Sequence, residues 1–311
     1  MNYVLRYLGN GFELFKIQLV NLLLQIVTLG LYYPWAKANT LNYVYCHTTL
    51  QDHPFTFTGT GKEMFRGYIK LLILLGILFA VFFVLANSDH AGWGLFLIYL
   101  SIFILIPFAL HGSYRYRMAK TMWRGIRFGY TGDRGELATI FFGGIFLTLI
   151  TLGFYGPWFY MKLRRYLLGH VRMGDANFSY SGTGGDFFVM NLAGYILTIF
   201  TLGIYFFWWQ RDVFRFFVNN LRLHRNDQMV QFESTATAGG FFSLIAGNFF
   251  IILFTLGIGI PWVITRSLKF VANNIQMTGN ISLDELEQQQ EDFSDASGED
   301  LSDFFDFGFI I

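Results

Sequence analysis

Four times the chain runs from an apolar stretch into Thr-Leu-Gly and then into aromatic residues. The four are TLGLYYPW from Thr28, TLGFYGPW from Thr151, TLGIYFFWW from Thr201 and TLGIGIPW from Thr255. A hydrophobic unit repeated in this way cannot bury its apolar face alone, so the chain has to fold as an array of neighbouring copies. The solvent of that array follows from composition. With 54% hydrophobic, 20% aromatic and only 14% charged residues, 311 residues hold more apolar side chain than one water-soluble core takes up. Six apolar segments, at 14–33, 67–86, 91–110, 137–159, 187–209 and 239–264, are long enough, or nearly so, to cross a hydrocarbon layer of about 30 Å. The first is the weakest, because it carries Lys16, Gln18, Asn21 and Gln25.

Aligning the copies on Pro34, Pro107, Pro157, the matching Phe207 and Pro261 gives five repeats. The second lacks Thr-Leu-Gly and follows a longer interval, as if a span had been added. Thirteen residues before each anchor stand Asn21, Gly94, Gly144, Gly194 and Asn248. Small or left-handed-tolerant residues there suit either close helix packing or the turn of a re-entrant loop. Eight residues after each anchor stand Asn42, Arg115, Arg165, Arg215 and Lys269, each followed at once by Tyr or Phe. Cations beside rings on amphipathic helices read as snorkelling anchors, or as candidate binding groups for lipid headgroups and other anions at Arg115, Arg165, Arg215 and Lys269. Trp35, Trp158, Trp208 and Trp262 are candidate interface anchors, since an indole keeps its ring in lipid and its N–H wet.

Each repeat ends in a period-two stretch closed by glycines: FTFTGTG from Phe55, FGYTG from Phe128 and FSYSGTG from Phe178, with Glu63, Glu136 and Asp186 following. Short half-buried strands, a turn and an acid in the first turn of the next helix account for this pattern. Gly-Thr-Gly could also cradle phosphate, but no Walker lysine accompanies it. Topology stays open between two arrangements. With six full spans, 13 flanking bases fall on one side and seven on the other, which places both termini outside by the positive-inside rule. If some segments dip in and return, all strands and basic helices share the cytoplasmic face.

Catalytic chemistry finds little footing. A single cysteine, Cys46, excludes an internal disulfide, no HExxH or GxSxG motif occurs, and the loose group Cys46, His47, Asp52 and His53 has no defined metal-ligand spacing. His47 and His170 share a repeat position with Lys120, Asn220 and Asn274, which reads as a polar helix position. Charge divides sharply along the chain: residues 1–280 hold all 22 Lys and Arg against 11 acids, and residues 281–311 hold ten acids and no base. The expected organisation is a membrane-embedded repeat domain over 1–283 and an acidic, disordered tail over 284–311 that could dock a soluble partner.

The FxF(T/S)GTG strand and turn, the TLG(L/F/I)YxPW segment end and the cation-aromatic step after it resemble the YjgN-like family of bacterial inner-membrane proteins, a domain family of unknown function. The likeness covers about residues 1–280. It implies a multi-pass protein of the bacterial inner membrane and no particular activity. The reading as a whole is an α-helical polytopic membrane protein of about six hydrophobic segments in pseudo-repeats, with interfacial amphipathic helices and short β-strands between them. It is expected to be non-enzymatic, without cofactor, metal or nucleic-acid partner, engaging membrane lipids and open to forming a homo-oligomer. A channel or transporter between pseudo-symmetric repeats is the alternative.

Overall fold

The computed structural model describes residues 1–86, 91–283 and 286–288. Among the described residues, five strand–helix–helix–strand units follow one another. The first is β1 (Asn2–Tyr7), α1 (Gly11–Val27), α2 (Tyr33–Cys46) and β2 (Thr48–Leu50), and the second is β3 (His53–Phe57), α3 (Gly61–Ala86), α4 (Ala91–Lys120) and β4 (Thr121–Trp123). The third is β5 (Ile126–Tyr130), α5 (Arg134–Ile150), α6 (Gly156–Gly169) and β6 (Val171–Met173). The fourth is β7 (Ala176–Tyr180), α7 (Gly184–Phe200), α8 (Phe206–Asn219) and β8 (Leu221–Arg225). The fifth is β9 (Gln228–Ser234), α9 (Ala238–Thr255), α10 (Ile260–Asn273) and β10 (Ile275–Gly279).

The ten strands form one closed antiparallel barrel in which chain neighbours pair and β10 pairs with β1, with Tyr3 opposite Met277. Closure leaves no unpaired edge. Because each unit sends one strand up and the next down, all five helical hairpins leave and rejoin the same rim, and the tight turns between units lie on the other. Aromatic and aliphatic side chains fill the barrel: Tyr3, Trp123, Phe128, Met173, Leu223, Val230 and Met277 are all buried. Trp123 is fully enclosed, its indole N–H shared between the carbonyls of Leu50 and His53 at 3.2 Å. Residues after β10 close the turn-side mouth. Ile281 and Leu286 are buried in the same core, and the Arg127 amide donates to Gln288 Oε1 at 2.7 Å.

The Thr-Leu-Gly motif is the tip of each short hairpin. Thr28 Oγ1 donates to the Leu24 carbonyl at 2.7 Å and accepts from the Tyr32 amide at 3.0 Å, joining the end of one helix to the start of the next. Thr151, Thr201 and Thr255 repeat the stitch. The following Leu and Gly are both left-handed, at φ 53° and 89° in the first copy, and the Gly30 amide reaches back to the Gln25 carbonyl. A leucine in that region costs on the order of 1–3 kcal/mol, and in water Asn or Gly would stand there. Yet Leu29, Leu152, Leu202 and Leu256 are 90–95% exposed. A strained, fully projecting leucine fits a tip immersed in hydrocarbon.

The ten helices form a second closed ring above the barrel, each packing on its chain neighbours and α10 on α1. The odd-numbered helices and the first half of α4 carry most of the exposed apolar side chains. Side chains of successive even-numbered helices meet, as Tyr160 of α6 meets Phe217 of α8 and Phe214 of α8 meets Phe270 of α10. The hairpins interlock by leaning. Trp35 of α2 sits on Gly61 at the start of α3, Trp158 of α6 on Gly184 at the start of α7, and Trp262 of α10 on Gly11 at the start of α1. The first glycine of the same motif (Gly59, Gly132, Gly182) lies against the ring two residues earlier. Both glycines are therefore packing positions, and the helix starts they precede are closed by caps: Asp133 accepts from the Glu136 amide, and Thr183 from that of Asp186.

The structure changes the expected spans. The apolar segments at 14–33, 137–159, 187–209 and 239–264 each contain a helix, a Thr-Leu-Gly turn and the start of a returning helix. Three helices among the described residues are long and apolar enough to cross a membrane: α3, α4 and α9. The returning helices α2, α6, α8 and α10, the last three of them amphipathic, run back along α1, α5, α7 and α9, and the short strands expected between the helices pair into one closed barrel. The residues 13 before each anchor serve packing: a methyl on Gly144 would overlap the Phe159 ring, one on Gly194 would overlap Trp209, and Asn21 donates to the Ala36 carbonyl at 3.2 Å.

Candidate functional site

The register position eight residues past each anchor falls near the barrel end of an even-numbered helix, so barrel closure sets its occupants at equivalent places around one rim. Arg165, Arg215 and Lys269 are exposed there and Arg115 is half-buried. Arg165 Nη2 donates to the Gly182 carbonyl at 2.9 Å, which ties α6 to the root of the next hairpin. The aromatic residue that follows faces inward and holds its own hairpin together. Tyr166 Oη donates to the Asp133 carbonyl at 2.9 Å and accepts from its amide at 2.7 Å, and Tyr43 does the same for Asn10. Burial raises the pKa of the Tyr43 and Tyr166 phenols, so both stay neutral donors. Where the fourth and fifth copies have Phe216 and Phe270, ring packing on Phe187 and Phe241 takes over.

The four tryptophans lie at the tip-side start of α2, α6, α8 and α10. Trp158, Trp208 and Trp262 are 36–42% exposed and Trp35 is half-buried against Phe65. Of the polar position shared by His47, Lys120, His170, Asn220 and Asn274, the histidines and asparagines turn back to the carbonyl four residues earlier, and Lys120 Nζ pairs with Glu63 at 3.0 Å. Cys46 bonds to Asn42, and Asp52 pairs with Arg6. Among the described residues no three His, Cys, Asp or Glu side chains gather as a metal site.

Two further cations were not among the sequence candidates. Arg164, beside Arg165, is 5% exposed, with its guanidinium 4.3 Å from the Phe217 ring centre and 5.1 Å from that of Tyr180. Both the burial and the stacking suit a delocalised guanidinium. Lys37 lines a cavity of about 580 Å³ between α1, α2 and the tip of the α9–α10 hairpin. Gln18, Asn21, Gln25 and Thr40 supply its other polar walls, and Phe15, Leu22, Leu41, Ile258 and Pro261 are among its apolar ones. The repeat register points to Lys37, because the equivalent residues in the other copies are Leu110, Tyr160, Gln210 and Ile264.

A family model described as bacterial protein of unknown function (DUF898) matches residues 2–193, 175–228 and 224–304. This chain belongs to the DUF898 family. The match extends to residue 304, into the acidic tail that the motif likeness left out. Inner membrane protein YjgN of Salmonella typhimurium is 33% identical over 129 residues, covering 42% of this chain and 31% of that protein. Its namesake in Escherichia coli O157:H7 is 31% identical over 122 residues, covering 39% of this chain and 29% of that one. The DUF898 chain thus aligns with less than a third of the length of these curated relatives. No solved structure matches it. With relatives named for the inner membrane and three helices of spanning length, it is a bacterial inner-membrane protein. The acidic residues from 289 onward lie outside the described residues.

Proposed function

We propose that this DUF898 protein is a non-enzymatic membrane protein whose barrel sits at the cytoplasmic face and whose hairpin roots gather anionic lipid. The observation that carries the reading is the closed barrel: it sets Arg115, Arg165, Arg215 and Lys269 around one rim, at the end of the helices where headgroups lie. The helices α3 and α4 are the longest, at 26 and 30 residues, and the sequence from Leu71 to Leu110 has no Lys or Arg. The positive-inside rule then favours a cytoplasmic barrel. Each exposed cation near an anionic surface contributes about 1 kcal/mol, so Arg165, Arg215 and Lys269, with the half-buried Arg115 beside them, make a preference that salt weakens.

The test is thermal stability in nanodiscs. The wild type should be more stable in phosphatidylglycerol than in phosphatidylcholine at low salt, and the quadruple variant R115Q/R165Q/R215Q/K269Q should lose that difference. An undiminished preference in the quadruple variant would sink the proposal. A channel or transporter between repeats is the second reading, and the aromatic filling of the barrel gives less support to a path along its axis.

A further inference from the structure

We infer that the cavity between α1, α2 and the α9–α10 tip is a binding site for one anionic phospholipid, whose phosphate lies against Lys37 below the level of the surrounding headgroups. Placement is the first argument. Lys37 stands nine residues before the end of α2, roughly 14 Å along the helix from the barrel side at 1.5 Å per residue. The neighbouring α1 exposes Leu19, Leu22, Leu23 and Ile26 to lipid. An ionisable side chain at that depth is costly and marks a site by default.

The wall opposite is built to match. Gln18, Asn21 and Gln25 stand at i, i+3 and i+7, one face of α1, and all three line the cavity. Asn21 is held by Ala36 and Asn39, which fixes the middle of the ladder and leaves the flanking amides of Gln18 and Gln25 to serve a ligand. The other repeats show that the fold itself does not require this polarity. At the positions of Gln18 and Gln25, counted from the start of the first helix of each hairpin, they have Tyr68 and Leu75, Phe141 and Thr148, Asn191 and Thr198, and Ile245 and Ile252. Only the first copy combines both amides with a lysine.

Size and opening select the ligand. About 580 Å³ is within the range of small-molecule sites and accommodates a headgroup with the start of its acyl chains. The exposed Leu19, Leu22, Ile258 and Ile260 at the mouth leave the rest of the chains in the bilayer. In a membrane, the amphiphiles that combine a fixed negative group with such chains are anionic phospholipids. The inference shares with the proposed function only the immersion of the helices. The rim cations are separate residues.

The experiment is native mass spectrometry of the delipidated full chain titrated with phosphatidylglycerol, with phosphatidylcholine and glycerol 3-phosphate as parallel probes. The expected result is one phosphatidylglycerol per chain that survives 0.5 M salt, with affinity reduced at least tenfold in Lys37→Ala and in the double variant Gln18→Leu/Gln25→Leu. As a charge control outside both the cavity and the rim, Arg222→Gln should stay within twofold of the wild type, and the rim variant R165Q/K269Q is titrated alongside it. Should Lys37→Ala fail to fold, the double variant decides, since it places apolar residues where other copies already have them. Unchanged binding in the cavity variants, equal binding of phosphatidylcholine, or saturation by glycerol 3-phosphate with the same affinity would overturn the assignment. Loss of lipid only in the rim variant would overturn it too, while leaving the proposed function standing.

Discussion

Gly184 and Gly185 are adjacent at the start of α7, yet replacing each by alanine should move stability in opposite directions. A Cβ on Gly184 would fall 2.6 Å from the Cα, Cγ and Cδ1 atoms of Trp158. Because one of those atoms is backbone, turning the indole cannot clear the overlap. Overpacking of this kind costs about 1–3 kcal/mol. A Cβ on Gly185 meets nothing within 4 Å, so alanine there contributes only its better helix propensity, up to about 1 kcal/mol. The two variants should therefore differ by roughly 1–4 kcal/mol, or on the order of 2–16 °C in Tm at about 2–4 °C per kcal/mol. Thermal unfolding in one detergent, followed by tryptophan fluorescence, measures this directly, with Trp158 as a reporter at the contact. Equal effects of the two substitutions, or stabilisation by Gly184→Ala, would refute the leaning interlock in which each tryptophan sits on the root of the next hairpin. Gly61→Ala against Trp35 and Gly11→Ala against Trp262 should repeat the result of Gly184→Ala.

Topology is open to direct test: in a Cys46→Ser background, single cysteines at Arg172 and Asp227 should both resist an impermeant thiol reagent in spheroplasts and react after lysis, and opposite labelling of the two would break the single-rim arrangement. Trp123→Ala should cost about 3–5 kcal/mol, read as unfolding at lower denaturant, because a fully buried ring leaves a void in the barrel. Tyr166→Phe should cost about 1–3 kcal/mol, since the Asp133 amide and carbonyl lose their shared hydroxyl. The Asp133 carboxyl accepts the Glu136 amide, which lowers its pKa below the ordinary carboxylate value. Its contribution to α5 is then present above the unfolded pKa of about 4 and lost as pH falls through the lower folded value. Asp133→Asn should flatten that acid limb, and an unchanged pH profile would remove the cap from the account.

The repeat, its register and its caps were legible because they rest on local chemistry. Phe178-Ser-Tyr180 alternates, Thr183 and Asp186 cap, and the residues 13 before each anchor are small because rings or amides cross there. Barrel closure was not legible. β2, β4 and β6 are three residues long, too short for a period-two signal, and β1 finds β10 from the opposite end of the chain. The hairpin tips were hidden by their leucines. A helix end in water is read from Gly or Asn in the left-handed position, and here lipid admits Leu29, Leu152, Leu202 and Leu256 instead. Arg164 was passed over for Arg165 because sequence alone does not show which of two adjacent arginines faces the neighbouring helix. The register did hold the signal for Lys37, since no other copy has a charge at that position.

Five copies and a closed barrel together constrain the topology more tightly than charge counts do. Were each copy to cross the bilayer once, an odd number of crossings would put β1 and β10 on opposite faces, and the pairing of Tyr3 with Met277 could not exist. Six crossings return the ends to one face but strand intermediate hairpins on the other, which the continuous order from β1 through β10 forbids. Only hairpins that go in and come back satisfy every pairing. Given that rule, length becomes the variable that separates the copies. Helices of 17 residues are about 25 Å long and reach less once they lean, short of a core of about 30 Å. α3 and α4, at 26 and 30 residues, have length to spare. The added length in the second copy is thus enough for a full crossing, while α1, α5 and α7, with leucine at their tips, are too short for one. The polar first copy stands between that long hairpin and the fifth copy, and its lysine-lined cavity opens on the fifth-copy side.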